Sequence, residues 1–426
     1  MSATISILFF AGCLLGIPLA FAFGISGMIG LWMSGLPIEM VASKMMFAIN
    51  SFPLLAIPFF MLAGELMVRG GVVRIAVEFA NTIVGRVRGG LGHVTVASGM
   101  GLASVSGAAV ADAAALGSAL MKPLGQNYSK PFGAALIAAT GNLGPILPPS
   151  TAMIVYATIA GPTLSLPALF IGGVLPAFLI AFLMSAYVYW AAYRRGYPLT
   201  GEPFRLSAVA RSGLRSLPVL MLPVVVIGGI MGGAFTATEG GAIAVVMSLL
   251  LGLFYTRELK LSDIPTALLH AGLTTGVVTV IIAFASTVTF LFSIDHLPND
   301  LRALLQGMTD DPTMFLLLIF LMLVVVGMFM ESTAAYVMLV PIFAPMALTY
   351  GIEPLHFALV FILTLIVGML TPPVGVLLFL MAGMTGLKVG EIVREVWPYI
   401  AIQFGVTLAI LFFPDVFLYL PRLAGY

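Results

Sequence analysis

The sequence predicts an all-α polytopic membrane protein built as an inverted repeat, with two re-entrant hairpins and two discontinuous helices. Three observations predict it. Of 426 residues, 61% are hydrophobic and 8% charged, with a mean hydropathy of +1.15, beyond what a water-soluble domain carries. Two proline pairs, Pro148-Pro149 and Pro372-Pro373, interrupt long apolar segments. The segments around the two pairs match each other.

A spanning helix takes about 20 apolar residues, so the chain holds roughly ten to a dozen crossings plus shorter re-entrant pieces. The stretch Met1 to Gly24 lacks a basic leader and outruns a signal-peptide core, so it reads as an uncleaved first membrane helix. Cys13, the sole cysteine, has no intrachain disulfide partner and reads as a small apolar packing residue. Residues 1–193 form the first repeat, with a hairpin at about 90–122 and a broken helix at about 130–160. Residues 194–216 form a linker. Tyr193 to Ser216 carries five arginines against one glutamate, which places it in the cytoplasm. Residues 217–426 form the second repeat, with a hairpin at about 313–346 and a broken helix at about 355–385.

The repeat is visible by hand. Phe132 to Ser150, "FGAALIAATGNLGPILPPS", and Phe357 to Gly375, "FALVFILTLIVGMLTPPVG", share a leading Phe, a Gly four positions before the first Pro, and the Pro-Pro pair. Upstream, Pro123 matches Pro345 and Tyr128 matches Tyr350. If each half crosses an odd number of times, the second half is inserted upside down. A cytoplasmic linker then leaves both termini outside the cytoplasm.

Proline has no N–H, so Pro148 and Pro149 leave the carbonyls of Gly144 and Pro145 without helical donors, and Pro372 and Pro373 do the same to Gly368 and Met369. Free carbonyls at membrane depth survive only where protein, a hydrated cavity or a cation such as sodium satisfies them. A kink that only shapes packing is the alternative. Just upstream, "GLASVSGAAVADAAALGSALMKP" is rich in small residues and holds Asp112, while "GMFMESTAAYVMLVP" carries Glu331, Ser332 and Thr333. Each reads as a re-entrant hairpin with hydroxyls at its tip, where a helix N-terminus favours an anion; small-residue helix packing is the alternative for the first. Glu65, Glu239, Asp112 and Glu331 lie in or beside apolar stretches, where carboxylates are costly. Arg69, four residues on, suits Glu65 as a local partner; Asp112 and Glu331 support a site or serve as structural acceptors.

Several functions are excluded. A net charge of +1 gives no field for nucleic acid. None of the five lysines follows a glycine, so no Walker A loop exists. The histidines at 93, 270, 296 and 356 show no metal spacing, and no catalytic triad stands out. The chain is not expected to be an enzyme.

The runs "SVSGAAVADAAALGSALMKPLGQNYSKPFGAALIAATGNLGPILPPSTAMIVYA", "SFPLLAIPFFMLAGELM", "GGIMGGAFTATEGGAIAV" and "PLHFALVFILTLIVGMLTPPVG" resemble the large membrane subunit of tripartite ATP-independent periplasmic (TRAP) transporters. The resemblance covers essentially the whole chain. It implies an elevator-type carrier in the bacterial inner membrane, surrounded by lipid and coupled to sodium entry. It also implies two partners, a soluble periplasmic binding protein and a separate small four-helix membrane subunit, and organic acid cargoes such as C4-dicarboxylates, sialic acid and other sugar acids. No cofactor is implied beyond sodium as coupling ion. Carried over by position, the first sodium lies between Ser104 and Ser106 at one tip and Gly144, Pro145 and Pro148 at one break. The second lies between Glu331 to Thr333 and Gly368, Met369 and Thr371. Substrate sits between the tips, at Ser104, Ser106, Gly107, Ser332 and Thr333. A stand-alone ion-coupled carboxylate carrier of a related inverted-repeat fold is the alternative.

Overall fold

A computed structural model describes residues 1–201, 205–330 and 332–426, and every regular element among them is helical. The chain opens with α1 (Ser2–Leu14) and α2 (Leu19–Met33), not with the single crossing expected. Gly16 takes a left-handed φ of +81° and Pro18 follows, so the apolar run turns back on itself. Helix α1, with 13 residues, is about 20 Å long and too short to span the bilayer. The Ser34 hydroxyl, just past α2, lies 2.6 Å from the Met1 sulfur.

After α3 (Met40–Ile49) come α4 (Ala56–Arg69), which with the 3-10 turn before it makes the membrane span Phe52–Arg69, and the amphipathic α5 (Val72–Val84). Helix α5 buries Val72, Val73 and Ile75 and exposes Arg74 and Glu78. A hairpin follows, α6 (Gly90–Ser106) and α7 (Ala109–Asn127), turning at Gly107 with φ +62°. The first broken helix is α8 (Lys130–Gly141) and α9 (Thr151–Ala160), and α10 (Leu166–Arg195) ends the half. Beyond the linker, α11 (Leu206–Met231) and α12 (Ala237–Leu250) form a pair, the latter extended by a π-helical turn over Leu251–Thr256. The order of the first half then recurs: spanning α13 (Ile264–Ile294), amphipathic α14 (Leu297–Met308), and a hairpin of α15 (Pro312–Phe329) and α16 (Ser332–Thr349). The second broken helix, α17 (Pro354–Gly368) and α18 (Val376–Thr385), and the long α19 (Val389–Phe412) complete it.

Polar pairs fix the directions. At one face Arg195, ending α10, binds Glu395 near the start of α19 at 2.8 Å, and Ser129, just before α8, lies 3.3 Å from Tyr197. Helix α8 therefore starts at the linker face. Helix α17 starts at the opposite face, where Glu353 meets Arg422, beyond the end of α19, at 3.1 Å. The two broken helices run in opposite senses. Arg74 bonds Glu258 and Arg215 bonds Glu78, which places the start of α13 at the linker face. Its 31 residues, about 46 Å, carry Asp295 to the far face, where it accepts the Ser2 hydroxyl at 2.6 Å. Both chain ends thus lie opposite the linker.

Eight helices among the described residues are long and apolar enough to span a membrane, and the arms of the second hairpin are two of them. Helices α8 and α17 sit at the centre, with Phe132–Gly141 and Leu355–Gly368 buried throughout. Burial on all sides explains their unbroken apolar sequence. Helix α15 crosses α17 glycine on glycine: a Cβ on Gly368 would lie 2.5 Å from the Gly327 backbone.

Candidate functional site

The first hairpin tip docks on the first break. The Thr151 hydroxyl, opening α9, donates to the Gly107 carbonyl at 2.9 Å, and a Cβ on Gly107 would stand 2.5 Å from the Pro149 carbonyl oxygen. At the tip the Ser106 hydroxyl donates to one carboxylate oxygen of Asp112 and accepts the Ala108 N–H at 3.3 Å. Asp112 is 1% exposed. Its other oxygen, Oδ2, is buried with no partner among the described residues and faces Gly144, where a Cβ would strike it. The structure thus brings Ser106, Gly107, Gly144 and Pro145 together and adds Asp112. Ser104 is only half-buried and donates back to the Gly101 carbonyl at 2.7 Å.

The breaks are less bare than proline chemistry alone implies. The Ser150 hydroxyl donates to the Pro145 carbonyl at 2.5 Å, the Thr371 N–H to the Gly368 carbonyl at 2.9 Å, and the Leu377 N–H to the Met369 carbonyl at 3.3 Å. Among the described residues, only Gly144 of the four keeps its carbonyl without a donor. The reason is local: the chain past each break curls back as a tight turn and supplies donors that a straight helix would not. Each of the bonded carbonyls retains a second lone pair. The Pro148-Pro149 and Pro372-Pro373 peptide bonds are both cis.

At the second tip Ser332 and Thr333 open α16 and are buried; Glu331 lies outside the described residues. Thr371 donates to the Val367 carbonyl at 2.8 Å. The other carboxylates singled out in the sequence are structural: Glu65 lies 3.5 Å from Arg69, and Glu239 accepts the Thr236 N–H at 2.7 Å, capping α12.

A cavity of about 840 Å³ joins the two halves. Ala108 at the first tip, Pro145 at the first break, Thr151, Ser332 and Thr333 at the second tip, and Met369 at the second break all border it, with α13 along one side. No ionisable side chain lines it among the described residues. Helices α7, α9 and α16 begin at its wall, turning their positive ends toward it. Such a volume suits a small organic molecule.

Residues 6–416 match the family described as tripartite ATP-independent periplasmic transporter, DctM component. The chain belongs to this family. A DctM component is part of a transporter, so the chain is a multi-pass membrane permease and not an enzyme. It is 34% identical to the 2,3-diketo-L-gulonate TRAP transporter large permease protein YiaN of Escherichia coli K12, covering 96% of this chain and 98% of that one. It is 35% identical to the C4-dicarboxylate TRAP transporter large permease protein DctM of Pseudomonas aeruginosa, covering 91% and 90%. The isethionate TRAP transporter permease protein DctMQ of Oleidesulfovibrio alaskensis is 34% identical over 94% of this chain, which spans only 63% of that protein's length. Among solved structures, the YdaH transporter of Alcanivorax borkumensis superposes with a TM-score of 0.63 at 15% identity, over 97% of this chain and 98% of that one, and shares the fold.

Proposed function

We propose that this DctM-family chain is the large permease subunit of a sodium-coupled, elevator-type transporter of a bacterial inner membrane. It imports an organic acid anion delivered by a periplasmic binding protein and works with a small four-helix membrane subunit. The observation that carries the reading is the 840 Å³ cavity bordered by both tips and both breaks, with no ionisable side chain on its described wall. An anion there needs neutralising from elsewhere, because an unpaired buried charge is very costly. Helix N-termini supply part of that, and cations bound beside the cavity supply the rest. One oxygen-only set lies at Asp112 Oδ2, Ser106 and the Gly144 and Pro145 carbonyls. The other comprises Thr333, Thr371 and the Gly368 and Met369 carbonyls, and the sequence adds Glu331, which lies outside the described residues. The substrates named for the relatives, diketogulonate, C4-dicarboxylate and isethionate, are all organic acid anions and support the class.

Proteoliposomes holding the chain and its small subunit, screened with labelled C4-dicarboxylates, sialic acid and sugar acids, test the reading. Little uptake is expected until the cognate binding protein is added. Full-rate uptake without it would support a stand-alone carrier instead.

A further inference from the structure

A polar contact ties the two breaks directly to each other. Asn142, closing α8, donates through Nδ2 to the Ile366 carbonyl of α17 at 3.0 Å and to Oε1 of Gln403 in α19 at 2.7 Å. Gln403 Nε2 donates in turn to the Ala139 carbonyl at 3.3 Å. Both side chains are 0% exposed. Asn142 stands two residues before Gly144, and Ile366 stands two residues before Gly368. The bond therefore joins equivalent positions of the two repeats.

Stability alone does not account for the pair. The Asn142 Oδ1 atom is buried without a partner among the described residues, at a penalty of about 1–3 kcal/mol, and the equivalent residue of the other repeat is an isoleucine. Apolar side chains in place of buried polar groups are often neutral or stabilising. We propose that Asn142, aimed by Gln403, is a positioning residue that makes cation occupancy at one break raise the affinity of the other. A cation holding the Gly144 carbonyl fixes the backbone two residues from Asn142. Its amide then fixes the Ile366 carbonyl, which also accepts the Met369 N–H at 3.1 Å. That steadies the turn carrying the second set of carbonyls, and binding to a pre-ordered site is tighter. The link is a single shared hydrogen bond and needs no long pathway.

This inference rests on the sodium reading above, and equilibrium binding of labelled sodium to the complete membrane complex in nanodiscs separates the two. The parent is expected to bind sodium with a Hill coefficient approaching about 2, the limit for two coupled sites. Asn142→Leu and the volume-conserving Gln403→Met are each expected to lower it to about 1, with the number of ions bound unchanged. A purely packing role would change thermal stability and leave the slope alone. If Asn142→Leu fails to fold, Gln403→Met decides. A parental slope in folded Gln403→Met, or non-cooperative binding in the parent, overturns the clasp and spares the sodium reading. No sodium binding by the parent overturns both.

Discussion

Asp112 has one oxygen satisfied by Ser106 and one that is buried beside Gly144 and unpartnered among the described residues. A cation at that place would complete it. Asp112→Asn keeps the shape and removes the charge, so the sodium concentration for half-maximal uptake should rise by about tenfold or more, the equivalent of about 1.4 kcal/mol, in protein that still inserts. If Asp112 only holds the tip together, the variant loses thermal stability and the sodium curve stays put. Small residues, hydroxyls and a proline break in the bilayer made Ser106, Gly107 and Gly144 readable as neighbours, and the structure sets them side by side around Asp112. Ser104 is placed differently from Ser106: residues two apart on a helix are separated by about 200°, and its hydroxyl turns back to the Gly101 carbonyl. The Asn142–Gln403 pair was illegible because its members stand 261 residues apart, and nothing local marks a buried glutamine in an apolar helix.

At the scale of elements, the proline breaks are the decisive feature. Replacing Pro148 and Pro149 by alanine restores two N–H donors, so the helix can rewind and reclaim the Gly144 and Pro145 carbonyls. The expected result is a raised sodium requirement, measured as uptake against sodium concentration with expression normalised; an unshifted curve would falsify a cation-binding role for that break. Packing at the second break gives a separate test. A methyl on Gly368 would stand 2.5 Å from the Gly327 backbone, whereas one on Gly327 has its nearest neighbour at 3.1 Å. Gly368→Ala should therefore destabilise by about 1–3 kcal/mol, more than Gly327→Ala, in thermal unfolding of the purified complex. Equal melting temperatures would contradict the crossing. The broken helices stood out in the sequence because paired prolines are rare in apolar runs. The α1–α2 turn did not, because hydropathy averages across Gly16 and Pro18 and reads two short helices as one. In a Cys13→Ser background, cysteines at Ser2 and Ser34 should label from the same side of the membrane, opposite to one at Ser212. Labelling of Ser2 and Ser34 from opposite sides would restore the single crossing.

For the whole molecule, two halves inserted in opposite senses bring two hairpin tips and two breaks around one cavity, and the cavity wall, among the described residues, offers an anion no positive side chain. The order of elements was readable from matched motifs around Pro148 and Pro372. Their convergence on a shared space, with α13 along one side, depends on tertiary packing that no local pattern encodes. The physical consequence is linkage: if sodium supplies the missing positive charge, anion affinity and sodium affinity must rise together. The most direct measurement is accumulation of labelled substrate in proteoliposomes containing the full complex and binding protein, with the sodium gradient, the proton gradient and the membrane potential set independently. Accumulation should follow an inward sodium gradient, collapse when that gradient alone is dissipated, and be accompanied by entry of labelled sodium. Accumulation that persists without a sodium gradient and follows the proton gradient would contradict the account.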